Sequence, residues 1–364
     1  MVSRPMVNRR QFLAGAAALV APSLARADAI RAVDVLGNVI ALDGPARRIV
    51  LLDATDAVSM AALVPDPLDR IAGWASLGRL DLGDNPLKSA AVPEVGKLAP
   101  DTLSAEAILG LKPDLVVASA YMLPPGVPSP LLSLLQAAGI PVAWTSGHDG
   151  ALPPEQSLDR SMAFWGAVLG QGARASRITD FGLSRFAAVR ACSGGERPRT
   201  YMEIMSTYDD CCWAAGQAFW GPLFDMAGGA LLAGSDGWGG KLSDEGLVAL
   251  QPQVYVATGG SYAPQLQPAI GPGLDPAEGR AGLARLAARS ALKGSPAVRA
   301  GRVHGIWSGL ITAPILVPVL AECLGRWLHP EGCAALDPAA TLSTLNACLS
   351  HPIKGPLWLS LDED

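Results

Sequence analysis

One pattern occurs twice in this chain without a gap, and it constrains the fold more than any other feature. Leu103-Ser104, Glu106, Leu111, Pro113 and Val117-Ala118 recur at the same spacing as Leu242-Ser243, Glu245, Leu250, Pro252 and Val256-Ala257. In each copy the serine is placed to cap a short helix, and the carboxylate falls in that helix's first turn, where the helix dipole favours it. A proline then marks the turn. The run that follows, Leu115–Ser119 or Val254–Thr258, is continuously apolar and rich in β-branched residues, as expected of a parallel strand buried on both faces. A helix–turn–strand unit copied in register predicts two related lobes.

The remaining segments fill out an α/β class with two lobes, each a central, mainly parallel sheet flanked by helices. A hairpin is expected around Leu36-Gly37-Asn38, with strands at Arg48–Leu52, Ile71–Trp74, Leu115–Ser119 and Val142–Thr145. The second lobe resumes with strands at Arg199–Met205 and Val254–Ala257. Helices are expected over Gly221–Ala227, Gly282–Ala288 and Pro314–Trp327. Between the lobes, Pro153-Pro154 opens one long helical stretch from Glu155 to about Cys192, with Met162, Trp165, Val168 and Leu169 at helical spacing. The division is thus an N-terminal lobe at 28–152, a connecting helix at 153–194 and a C-terminal lobe at 195–364. The ligand cleft lies between the lobes, and the single helix acts as a stiff hinge.

Residues 1–27 read as a cleaved export signal. Arg9-Arg10 is a twin-arginine pair, Phe12 to Ala25 is an apolar run too short to span a bilayer, and Ala25-Arg26-Ala27 is a small-x-small cleavage pattern. The expected destination is the periplasm by the twin-arginine route. The chain carries 28 Lys+Arg against 33 Asp+Glu, and the leader takes four of those arginines (Arg4, Arg9, Arg10, Arg26) with no acid. The remainder is therefore mildly acidic, which argues against a nucleic-acid partner. Six cysteines (Cys192, Cys211, Cys212, Cys323, Cys333, Cys348) match no CxxC spacing. In an oxidising compartment their roles are structural, with one disulfide expected among Cys323, Cys333 and Cys348.

In open parallel sheets a ligand sits outside the carboxyl ends of the strands. That rule selects loops carrying Asp53-Ala54-Thr55, Trp74, Tyr121, Thr145 to His148, Tyr208, Tyr262 and Trp307. Aromatics are only 5% of the chain, so their concentration in these loops points to a large organic chelate, for which flat, rigid rings bury area at small entropic cost. The candidate ligand-binding residues are Trp74, Tyr121, His148, Tyr208, Tyr262 and Trp307. Catalysis is not expected: there is no GxSxG, GxxxxGK[ST] or HExxH motif, and His304, His329 and His351 stand late in the chain without an acid at ligand spacing. A bare metal ion would have to be held by His148 with Asp53 and Asp209 or Asp210, which is a thin ligand set.

The order of the segments resembles the helical-backbone class of periplasmic binding proteins. The resemblance is carried by Asp34 to Val39 with Arg47 to Val50, Ala107 to Val117, Met226-Ala227-Gly228-Gly229, Leu247 to Val256, and Ala297 to Val303. Cys211-Cys212-Trp213, Thr258-Gly259-Gly260 and Leu328-His329-Pro330-Glu331 look most similar to the iron-chelate branch. The resemblance implies a monomeric solute-binding component of an ABC importer, with a metal chelate such as a ferric siderophore as ligand and no resident cofactor. A corrinoid, or haem held by a tyrosine or His148, is the alternative ligand. The implied partner is a permease dimer in the inner membrane with its ATPase, docked through one acid per lobe, here Glu106 and Glu245.

Overall fold

The structure, a computed structural model, describes residues 1, 29–89, 91–146, 152–204, 206, 211–261 and 268–362. The Arg9-Arg10 segment read as an export signal, His148, Tyr208 and Tyr262 lie outside these residues. The first element is an antiparallel hairpin of β1 (Ile30–Val33) and β2 (Val39–Leu42). The first lobe's sheet then takes β3 (Ile49–Leu51), β4 (Ile71–Ala75), β5 (Glu94–Gly96), β6 (Leu115–Ala118) and β7 (Val142–Trp144) in the order β5-β4-β3-β6-β7. Every neighbouring pair in it is parallel.

The second lobe is a mixed sheet. It comprises β8 (Arg199–Glu203), β9 (Trp213–Ala215), β10 (Ala230–Leu231), β11 (Gly239–Lys241), β12 (Val254–Gly259), β13 (Val303–Trp307) and β14 (Trp358–Ser360). The order is β11-β9-β8-β12-β13-β14, with β10 beside β8. Strands β8, β10, β12 and β13 form the parallel centre, whereas β9, β11 and β14 pair antiparallel at its flanks. Both copies of the repeat fold as read. Ser104 Oγ accepts from Ala107 N at 3.1 Å ahead of the helix Ala105–Gly110, and Ser243 Oγ accepts from Gly246 N at 3.0 Å ahead of Asp244–Leu250. The strands β6 and β12 that follow are buried at every position.

The long connecting stretch differs from expectation. It breaks into two helices, Pro154–Val168 and Gly172–Cys192, with Gly170 at φ +69° in the turn. A side chain is disfavoured in that left-handed conformation, so glycine ends the first helix there. The two helices lie antiparallel. Glu155, at the start of the first, pairs with Arg190 near the end of the second at 2.6 Å, and Gly166 and Gly182 allow close approach to Ala175 and Leu158. The longer helix, roughly 31 Å at 1.5 Å per residue, runs from the first lobe into the second. Near its start Arg174 donates to the carbonyls of Ala62 and Cys348, and at its end Cys192 forms a disulfide with Cys333.

That disulfide corrects the expected pairing. Cys333 reaches across to Cys192, while Cys323 lies buried in the helix Val317–Leu328 and Cys348 also stays outside the disulfides. Sequence proximity misled because the fold brings Cys333 to the end of the helix Gly172–Cys192. Closing a loop with a sequence separation of 141 stabilises the fold mainly by restricting the unfolded chain, by about 2–4 kcal/mol.

The second lobe's core holds buried polar groups on β8, β12 and β13. Glu203 is buried against Arg289 at 2.7 Å and accepts from the Tyr255 hydroxyl. His304, on β13, stacks on Trp327 with centroids 4.5 Å apart, and its Nδ1 lies 2.9 Å from Ser360 Oγ. Burial, aided by the charge of Arg302, lowers the His304 pKa from 6.5 to about 3. The ring is therefore neutral in the fold where an unfolded histidine would already be charged. The unfolded state binds the extra proton, so stability is fully present above about pH 6.5 and is lost as pH falls toward 3. The slope approaches about 1.4 kcal/mol per pH unit. Urea unfolding of the His304→Asn variant should show this acid-side slope flattened relative to the parent. An unchanged slope would assign the acid sensitivity to other groups.

Candidate functional site

The carboxyl ends of the two sheets face each other, and Asp81 spans the gap. It lies in the loop after β4, nearly buried, and its carboxylate accepts from Ser261 N at 2.9 Å, from the Ser261 hydroxyl and from the Trp307 indole Nε1 at 3.2 Å. Ser261 follows β12 and Trp307 ends β13, so one acid from the first lobe binds two strand ends of the second. Beside it, Gly83 has φ +58° and packs so closely on the Pro272 carbonyl that an added Cβ would sit 2.8 Å from that oxygen. Asn85 Nδ2 donates to the Pro352 carbonyl at 3.3 Å.

The first lobe's face is built from the residues just past β3, β4, β6 and β7. Asp53 is buried; its Oδ1 accepts from Thr55 Oγ1 at 2.8 Å and its Oδ2 pairs with Arg79 Nη1 at 3.0 Å. Arg79 is aimed there by the tight turn Leu77–Arg79, which opens on Ser76 at φ +58°. The guanidinium is partly exposed and lies 6.0 Å from the centre of the Tyr121 ring, within cation–π range. Tyr121 itself is 54% exposed. Beneath them, Asp56 accepts from Thr145 Oγ1 at 2.8 Å. Burial, reinforced by the charge of Asp53, raises its pKa from 3.8 to about 8, so its carboxyl holds its proton at neutral pH.

On the second lobe, the Ser206 hydroxyl donates to the Thr258 carbonyl, and Thr258 Oγ1 donates to the Glu203 carbonyl at 3.1 Å. These bonds hold the ends of β8 and β12 together. Trp307 is 2% exposed and slotted between Gly271 and Gly309, where any Cβ would meet its ring.

Of the six aromatic and histidine candidates, Tyr121 presents an open ring to the cleft. Trp74 has no exposed surface: it sits on β4 with its ring in the core, so as placed it packs the lobe and offers no face to a ligand. Trp307 stands at the cleft but is closed off by Asp81 and the two glycines. Glu106 and Glu245 are both exposed, in equivalent first turns. Asp53 is committed to Thr55 and Arg79, which leaves it poorly suited to a bare metal ion; His148, Asp209 and Asp210 lie outside the described residues. Sequence reasoning missed Arg79, Asp81 and Asp56. The available signal for Asp81 was a lone acid between two leucines, Leu80 and Leu82, in a loop at a strand's carboxyl end.

The model of the periplasmic binding protein family matches residues 56–308, which include Arg79, Asp81, Tyr121 and Trp307. Among solved structures, the TroA-like periplasmic binding protein FepB from Veillonella parvula superposes with a TM-score of 0.77 at 22% identity, covering 92% of this chain and 100% of that one. A periplasmic heme binding protein from Pseudomonas aeruginosa gives 0.57 at 22% identity, covering 79% and 94%. The molybdate periplasmic binding protein MolA of Haemophilus influenzae gives 0.67 at 16% identity, covering 89% and 99%. A comparison with curated protein sequences finds no significant match. No helix among the described residues is long and apolar enough to cross a membrane. With its two facing sheets and a family match over more than half its length, the chain belongs to the periplasmic binding protein family.

Proposed function

We propose that this chain is the solute-binding component of an ABC importer, that it captures an iron chelate of siderophore type, and that it delivers the chelate to a permease dimer and its ATPase. The observation that carries the reading is the first lobe's cleft face, where an exposed Tyr121 ring stands beside an Arg79 already neutralised by Asp53. A ring and a compensated cation suit a large, weakly charged organic complex better than a small polyanion, which would call for unpaired arginines. A receptor role in place of an enzymatic one is supported by the acids of this face, which are engaged by Arg79, Thr55 and Thr145 and so are not poised as bases.

Haem is the second reading, supported by three neighbours described as periplasmic heme-binding proteins and by the exposed phenol of Tyr121, a group able to ligate haem iron. Tryptophan-fluorescence titration with a ferric hydroxamate, a corrinoid and haemin separates the readings. The expected result is saturable quenching by the ferric hydroxamate without turnover; quenching by haemin alone selects the second reading. Tyr121→Ala should weaken binding about tenfold, or about 1.4 kcal/mol. No response to any of the three ligands would overturn the assignment.

Delivery to the permease is proposed to use Glu106 and Glu245, exposed acids in equivalent first turns of the two lobes. Acids at a rim govern docking and register more than stability. Glu106→Arg combined with Glu245→Arg should abolish uptake by cells while ligand affinity in solution stays at the parent value. Normal uptake by the double variant would leave these residues as helix-end charges only.

Export by the twin-arginine route completes the proposal. Arg9→Lys with Arg10→Lys should leave unprocessed precursor in the cytoplasm, because the translocase reads the paired guanidinium groups. Normal amounts of processed protein in the periplasm would rule that route out.

A further inference from the structure

Two adjacent cysteines stand beside a carboxylate on the second lobe. Cys211 and Cys212 immediately precede β9 and are joined in a disulfide; Cys212 is fully buried and Cys211 partly so. The Cys212 sulfur lies 3.8 Å from Asp244 Oδ1, and one donor atom from each of the three residues falls within 4.8 Å of the others. The arrangement is fixed by the sheet. Lys241 on β11 pairs with Trp213 on β9, Leu242 N donates to the Cys212 carbonyl at 3.0 Å, and the next residues open the helix Asp244–Leu250. The other oxygen of Asp244 accepts from Ser290 Oγ at 3.2 Å, which turns the carboxylate toward the sulfurs.

We propose that this cluster is a redox-gated site for a thiophilic divalent cation such as Zn²⁺ or Cd²⁺, formed when the Cys211–Cys212 disulfide is opened. A dithiol reductant opens it by exchange. The reductant's two thiols yield two electrons and two protons and close into a disulfide, while Cys211 and Cys212 become thiols. A divalent cation then displaces both thiol protons and is held by two thiolates and the Asp244 carboxylate, an S₂O set that suits a tetrahedral ion with one open position. Disulfide and metal exclude each other, because the same two sulfurs serve both. The site does not depend on the cleft ligand, since none of its three residues belongs to the Asp53–Arg79–Tyr121 face.

The test is anaerobic titration of the purified protein with cadmium, followed by the thiolate-to-cadmium charge-transfer absorption. It is run before and after treatment with a phosphine reductant, which takes up oxygen from water as it reduces the disulfide. Cys192–Cys333 can also be reduced, so Cys211→Ser with Cys212→Ser serves as the control. The proposal expects the band at one equivalent in reduced protein, no band in oxidised protein, no first-equivalent band in the double variant, and affinity weakened about tenfold or more by Asp244→Asn. Equal cadmium uptake before and after reduction, a band that survives in the double variant, or no band in reduced protein would each overturn it. Parent affinity in Asp244→Asn would remove the carboxylate and with it the three-ligand site.

Discussion

The cleft exists because two antiparallel helices pack on each other and on both lobes. Phe164, Trp165, Phe186 and Val189 lose all contact with water along this pair, and one apolar cluster runs from Ala32 in the first lobe through them to Leu359 in the second. The lobes are thus joined by a shared core and not by a tether. Prising them apart would uncover apolar surface at about 25 cal/mol per Å², so small sliding motions are cheap and wide opening is costly. Arg174, Cys192–Cys333 and the Asp81 contacts add further links across the molecule. The strand ends therefore meet a ligand at a nearly fixed separation.

Much of this organisation was legible in the chain. The capping serines, the prolines and the buried strands of the repeat are local features, each sufficient to place its own element, and they folded as read. What failed was nonlocal or too short to carry a pattern. Strands β9, β11 and β14 are three residues each, and Gly239-Gly240 gives β11 no periodicity at all. The break at Gly170 was concealed by apolar spacing that continues through Leu169, although Gly170-Gln171-Gly172 carried the warning. The partner of Cys333 lay far back in the sequence, where no spacing rule reaches.

The site followed the same division. Strand topology selected which loops lie at the carboxyl ends of the strands, and Tyr121, in one of them, is exposed. Whether a ring at a strand end points into the cleft or into the core depends on packing: Trp74 sits at the end of β4 yet faces inward. Arg79 and Asp81 act from beyond the strand end, and their roles come from partners they meet only in the folded chain, Asp53 in one case and Ser261 with Trp307 in the other.

Asp56 gives the cleft floor a property that no single residue type would reveal. The floor contains two acids and one arginine, yet at neutral pH it is electrically balanced, because Asp53 and Arg79 cancel and Asp56 holds its proton. The balance is conditional. In surroundings more alkaline than about pH 8 Asp56 sheds that proton, and the floor acquires a net negative charge in a place screened from salt. The charge of that floor is thus set by the pH around it, through one carboxyl that burial keeps neutral in ordinary conditions.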